Sequence, residues 1–199
     1  VASSRDPWTA VRASPVIAAV RSDAAAGVAA ASPVAAAFVL TGTILSLPGL
    51  VARLADAGKM VLVHVDLTEG LAADRAAVQF VRTLPGAAGI LTTRGHLIQA
   101  AHSVGLLAVL RLFLLDSASL DTATKLLRSC TPDAVEVLPG LLYPALAPEI
   151  GAWSVPVIAG GFIRRREDVR AVLRAGALAV STSTSGLWAH DLAGESARR

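Results

Sequence analysis

His64 and Asp66 stand two apart at the end of the apolar run Val61-Leu62-Val63-His64-Val65, and Glu69-Gly70 follow at once. In an extended chain, residues two apart share a face, so the imidazole and the carboxylate point the same way while Val63 and Val65 take the other side. An imidazole beside two carboxylates can bind hydroxyl groups, shuttle a proton, or help to hold a divalent cation. The same trio also serves as a plain hydrogen-bonded cluster closing the end of a sheet. No metal site is assigned. His96 and His102 lie six apart on a helix-compatible segment, a poor spacing for a shared metal, and read as surface residues.

A second group is Arg111, at the end of one apolar run, and Glu136, within the next. On neighbouring strands they can pair with each other, or Arg111 can meet an anionic ligand through its guanidinium fork while Glu136 orients it. Asp116 precedes a helix-compatible segment and reads as its cap. A third group follows two further runs: Gly160-Gly161 and Ser181-Thr182-Ser183. Glycines let backbone N–H groups approach phosphate oxygens, and hydroxyls add donors, so the pair reads as a phosphate cradle. Arg164-Arg165-Arg166 come next, either as a solvated helix start or as cations for a ligand phosphate or a nucleic-acid backbone. Trp8, Trp153 and Trp188 are scattered and build no stacking platform.

These residues must be positioned by a regular frame. Eight short runs rich in Val, Leu and Ile recur: Val16 to Val20, Ala37 to Thr41, Val61 to Val65, Gly89 to Leu91, Leu107 to Leu112, Ala134 to Leu138, Val157 to Ala159 and Ala177 to Ser181. Each is too short for a helix, and near-continuous apolarity marks strands covered on both faces. Between them lie amphipathic segments such as Leu50 to Ala57 and Asp168 to Ala175. Eight strand–helix units predict a compact TIM-barrel-like (β/α)8 fold with short loops, whose functional residues gather at the C-terminal ends of the strands. An open doubly wound sheet is the alternative. The expected organisation is an extension over residues 1–14, one domain over 15–190 and a tail over 191–199.

Composition agrees with a single core. Of 199 residues, 54% are hydrophobic and 17% charged, which excludes a disordered chain. One cysteine, Cys130, excludes an internal disulfide framework and points to a reducing, cytoplasmic setting. A net charge of +3 is too mild to announce nucleic-acid binding. Residues 24–52 carry no charge, but Ser32-Pro33, Thr41-Gly42-Thr43 and Ser46-Leu47-Pro48-Gly49 interrupt them well short of the ~20 apolar residues a spanning helix needs. No membrane contact is expected.

Four long motifs resemble, in order, those of the glycerol-3-phosphate-responsive antiterminators. They are Val63-His64-Val65-Asp66-Leu67-Thr68-Glu69-Gly70-Leu71, Arg111 to Ser117, Pro132 to Gly140 and Pro156-Val157-Ile158-Ala159-Gly160-Gly161-Phe162-Ile163, with Ala179 to Ser183 closing the match. The resemblance implies a non-enzymatic regulator of glycerol uptake and catabolism. Its effector would be glycerol 3-phosphate and its partner the leader of a messenger RNA, with no cofactor. Carried over by position, the implied ligand residues are His64, Asp66, Glu69, Arg111, Glu136, Gly160, Gly161, Ser181, Thr182 and Ser183. Arg164, Arg165 and Arg166 are assigned to RNA.

The chain departs from the family pattern in three places. It reads Thr92-Thr93-Arg94 where Ser-Thr-Lys is usual, Ala18 or Ala19 where a proline is usual, and Gly42-Thr43 where an acidic or amide residue is common. The rival expectation is a barrel enzyme, an isomerase, aldolase or decarboxylase acting on a small phosphorylated substrate. Against it, no lysine follows a strand: Lys59 precedes the third strand and Lys125 lies mid-helix, which disfavours Schiff-base chemistry. Homodimerisation is compatible with the sequence but is not specified by it.

Overall fold

The computed structural model describes residues 6–189. Each apolar run forms a strand: β1 (Val16–Val20), β2 (Ala36–Val39), β3 (Met60–His64), β4 (Ala87–Thr92), β5 (Leu107–Phe113), β6 (Ala134–Leu138), β7 (Val157–Gly160) and β8 (Ala179–Thr182). Every strand runs parallel to both neighbours, and β8 returns to β1, so the sheet closes into an eight-stranded barrel rather than an open sheet. β4 is longer than the run Gly89 to Leu91. β2 ends at Val39, before Thr41, because Gly42 turns the chain away with φ +107°.

The helices are α1 (Thr9–Ala13), α2 (Asp23–Ala31), α3 (Leu47–Asp56), α4 (Arg75–Thr83), α5 (His96–Ser103), α6 (Ser117–Ser129), α7 (Tyr143–Ile150) and α8 (Arg166–Arg174). Their starts are fixed by local chemistry. Ser22, Asp74 and Asp116 each accept the N–H of the residue three further on, satisfying a donor the first turn cannot use. Among the described residues, no helix is long and apolar enough to cross a membrane.

Strand alternation sorts the core into two. Ile17, Phe38, Leu62, Leu91, Val109 and Ile158 point inward and fill the barrel. Ala18, Val39, Val63, Ile90, Leu110 and Val135 point outward against the helices. Both faces of each strand are therefore dry, which explains the near-continuous apolar runs.

The segment before β1 is not a loose extension. Trp8, only 2% exposed, packs with Val11 against the inner cluster and stops the N-terminal end of the barrel. Its indole Nε1 donates to the carbonyl of Asp133 at 3.1 Å, and the Asp133 carboxylate accepts the N–H of Ala108 at 2.8 Å. Residues 8–13 thus belong to the barrel that they precede. Residues 1–5 and the tail 191–199 lie outside the described residues.

Truncating this stopper should unseat the barrel floor. Trp8→Ala is expected to lower unfolding stability by about 3–5 kcal/mol, the usual cost of removing a buried aromatic ring, read from urea denaturation curves.

Candidate functional site

One layer above the apolar filling, the inward positions become polar. Two residues beyond Leu62, Val109, Ala134, Ile158 and Ala179 stand His64, Arg111, Glu136, Gly160 and Ser181, respectively. Register completes the layer, since Arg111 pairs with Glu136 across β5 and β6, and Gly160 with Ser181 across β7 and β8.

Glu136 is its centre. The carboxylate is 1% exposed, with Oε2 accepting Arg111 Nε at 2.6 Å and Oε1 accepting the Ser181 hydroxyl. A charge this deep is tolerated only when paired and hydrogen-bonded, and here both oxygens are engaged. Gly160 makes room for it. A Cβ on Gly160 would lie 2.5 Å from Ser181 Oγ and 2.6 Å from Glu136 Oε1.

Above this layer opens a cavity of about 590 Å³. Of the expected residues, Glu69, Arg111, Glu136, Gly161 and Ser181 to Ser183 line it. Gly160 lies beneath, in contact with Glu136. The hydroxyls are not equivalent. Ser181 is spent on Glu136, and Thr182 donates to the carbonyl of Ile163 at 2.8 Å, while Ser183 is exposed. Among the described residues, no turn or loop hydrogen bond engages the backbone N–H of Gly161, Phe162 or Ser183. Gly161 and Phe162 both adopt positive φ, at +86° and +60°.

His64 and Asp66 do not line the cavity, and the extended strand does not continue from one to the other. β3 ends at His64, and a single turn of 3₁₀ helix over Val65–Leu67 rotates Asp66 toward the end of β4. There its carboxylate accepts the Thr92 hydroxyl at 2.8 Å, the Thr93 N–H at 2.7 Å and the Thr93 hydroxyl at 2.8 Å. Burial pushes this carboxyl up, but the bonds from Thr93 and Thr92 outweigh it and hold it below the usual range. Asp66 therefore ties two loops together, and Thr92-Thr93 are its counterpart. His64 is buried, and its Nδ1 has no hydrogen-bond partner. Burial, reinforced by the Arg111 charge, outweighs the pull of Asp66 and lowers its pKa to about 4.

The loops after β2 and β3 are joined as a parallel bridge, with Ile44 N–H donating to Glu69 O at 2.8 Å and Glu69 N–H to Gly42 O at 3.0 Å. Thr43 is absorbed by this loop, its hydroxyl accepting the N–H groups of Leu45 and Ser46. Arg164 borders the cavity, while the N–H groups of Arg164 and Arg165 both bond Asp168, whose carboxylate organises the start of α8. Of the three arginines, Arg164 lines the cavity. Asp116 is the helix cap its sequence position indicates. His96 and His102 are exposed, and His102 pairs with Asp133 at 3.0 Å. Among the described residues, no group of three His, Cys, Asp or Glu side chains is placed to hold a metal.

Sequence reasoning missed Arg21 and Phe162, both on the cavity wall. Arg21 was legible, because it directly follows β1 as polar residues follow the other strands. Phe162 was not, since its place on the wall depends on a left-handed backbone that no sequence rule assigns to phenylalanine.

Residues 16–188 match the family model described as glycerol-3-phosphate responsive antiterminator. This chain belongs to that family. The uncharacterized protein YgcP of Escherichia coli K12 is 35% identical over 178 residues, 89% of this chain and 93% of its own. The crystal structure of a glycerol uptake operon antiterminator regulatory protein from Listeria monocytogenes superimposes with a TM-score of 0.82 at 34% identity, covering 87% of this chain and 94% of that one. The crystal structure of a glycerol uptake operon antiterminator-related protein from Thermotoga maritima gives 0.78 at 34%, covering 87% and 96%. Of the positions expected to depart from the family pattern, Ala19 and Gly42 line the cavity.

Two outcomes follow from the layer. Gly160→Ala drives a methyl into the Glu136–Ser181 contact and should destabilise the fold by about 1–3 kcal/mol in chemical denaturation. His64 has a folded pKa of about 4 against an ordinary 6.5. Between those values the unfolded chain carries a proton that the folded chain lacks. Stability is therefore full above pH 6.5 and declines as pH falls toward 4, by about 3 kcal/mol for a shift of this size. The His64→Leu variant should lose that part of the slope in denaturation curves recorded across the window.

Proposed function

We propose that this chain is a sensor of glycerol 3-phosphate which, when loaded, acts on the leader of a messenger RNA to let transcription of glycerol uptake and catabolism genes proceed. The single observation that carries the reading is the pair of neighbouring turns after β7 and β8. They carry the uncommitted N–H groups of Gly161, Phe162 and Ser183, and Arg164 lines the same cavity. Backbone donors with a nearby cation suit a phosphate, and this is the recurrent anion position of the barrel fold. Arg21 adds a second exposed cation to the wall. Glu69, with Arg111 and Glu136 below, then offers acceptors and donors for the two hydroxyls of a glycerol moiety.

The layer supports binding rather than turnover. The cavity lining contains no lysine, cysteine or histidine. Both oxygens of its one buried carboxylate, Glu136, are already engaged, by Arg111 and by Ser181. This favours a regulator over an aldolase or isomerase acting on the same class of compound.

In this reading the ligand works by population shift. A phosphate held by the β7 and β8 turns and hydroxyls held by Glu69 would join the bridged β2–β3 loops to the opposite wall. The loaded form would be more closed and would present Arg164, Arg165 and Arg166 at the start of α8 in one arrangement. Those arginines are the residues we assign to the RNA.

Calorimetric titration with glycerol 3-phosphate tests the site. Gly161→Asp places a carboxylate and a strained backbone where the phosphate would sit. It should weaken binding at least about 100-fold, equivalent to roughly 3 kcal/mol. Undiminished affinity would move the phosphate elsewhere. NMR of the same mixture should show the compound unchanged over hours, whereas turnover would restore the enzyme reading. A leader RNA should shift in a gel only when the effector is present and less so at higher salt.

A further inference from the structure

Among the described residues, the exposed large apolar side chains are concentrated on one end of the molecule. Apart from Val28, all of them stand at the C-terminal rim of the barrel, Phe113 as the last residue of β5 and the others on the segments that follow the strands. Five form a continuous arc after β5, β6 and β7: Phe113 (52% exposed), Leu115 (81%), Leu141 (44%), Leu142 (51%) and Phe162 (67%). The loops that carry them touch. Leu114 N–H donates to Leu138 O at 2.7 Å, Gly140 packs directly on the backbone of Gly160, and Leu138 reaches Gly161.

We propose that this arc is the face through which two copies of the chain associate. Area supports the choice. The five residues expose roughly 600 Å² of surface, at the upper end of what a monomer leaves uncovered. It also matches the apolar share, roughly 500 Å², of the ~800 Å² each partner contributes to a stable interface. Charge selects the occupant. Residues 113–117, 138–143 and 161–163 contain no lysine or arginine, and their one carboxylate is Asp116. Arg164 stands only at the edge of this patch, two residues beyond Phe162, and the rest of the arc offers a phosphate backbone or an anionic lipid no cation, so nucleic acid and membrane fit it poorly. An apolar face is also complementary to itself, and a two-fold dimer needs one patch to meet its own copy.

Backbone geometry points the same way. Phe162 is a bulky residue held at φ +60° with its ring turned outward into solvent, a conformation L residues rarely adopt. Strain of this kind persists where a fold has a use for the side chain it presents. Phe162 also lines the cavity, so an interface here would border the ligand site without depending on what the ligand is.

Sedimentation velocity on the full chain, from about 1 to 100 µM, tests the inference independently of any effector. A particle of twice 20.3 kDa is expected at the upper end. Leu115→Asp and Leu142→Asp change exposed side chains outside the cavity, and each should weaken association at least tenfold. Their circular dichroism and melting should remain those of the unmodified chain. A monomer throughout that range, with and without glycerol 3-phosphate, would overturn the proposal. So would a dimer that survives both substitutions, or a monomeric chain whose RNA shift is what the substitutions remove.

Discussion

Glu136 is buried to the last few per cent of its surface, and a carboxylate in that position must find two strong partners or lose its charge. Arg111 from β5 and Ser181 from β8 supply them, so one side chain joins three strands of the barrel. The interaction is directional where the apolar filling below it is not. It fixes the guanidinium at the floor of the cavity, consumes the first hydroxyl of Ser181-Thr182-Ser183, and demands a residue without a side chain at position 160. The floor of the cavity is set by this pairing.

Two rings of loops then build the walls, and they do so by different means. On one side, Asp66 binds the end of β4 through Thr92 and Thr93, and the β2 and β3 loops pair through backbone groups. On the other side, the turns after β7 and β8 are held from below by Thr182, whose hydroxyl reaches Ile163. The first wall is stitched by hydrogen bonds already made. The second keeps backbone donors in reserve. An asymmetry of this kind suits a site in which one wall is preformed and the other is completed by an anion.

The same division explains how much of the site could be read in advance. Glu69, Arg111, Glu136, Gly161 and Ser181 to Ser183 reach the cavity because strand ends of a closed barrel converge. Polar residues that interrupt an apolar run near its end are legible for that reason. Gly160 was legible as a glycine, but the room it makes for Glu136 and Ser181 was not. His64 and Asp66 looked like one unit because two-residue spacing means a shared face only while the chain stays extended. The strand stopped at His64, and the 3₁₀ turn brought the carboxylate to Thr92 and Thr93, where it still acts on the imidazole through its charge.

By itself, the order of residues determined eight apolar runs, their parallel pairing through amphipathic helices, the family, and the level at which polar side chains enter. Those features are local in period or repeated along the chain, so spacing suffices to reveal them. Only the tertiary structure decided which polar groups are spent on one another and which face the cavity, that Trp8 stops the barrel from below, and that the large exposed apolar side chains crowd one arc of the rim. Each of these depends on contacts between residues far apart in the chain, where partner and distance are set by closure of the sheet and by no pattern in the sequence.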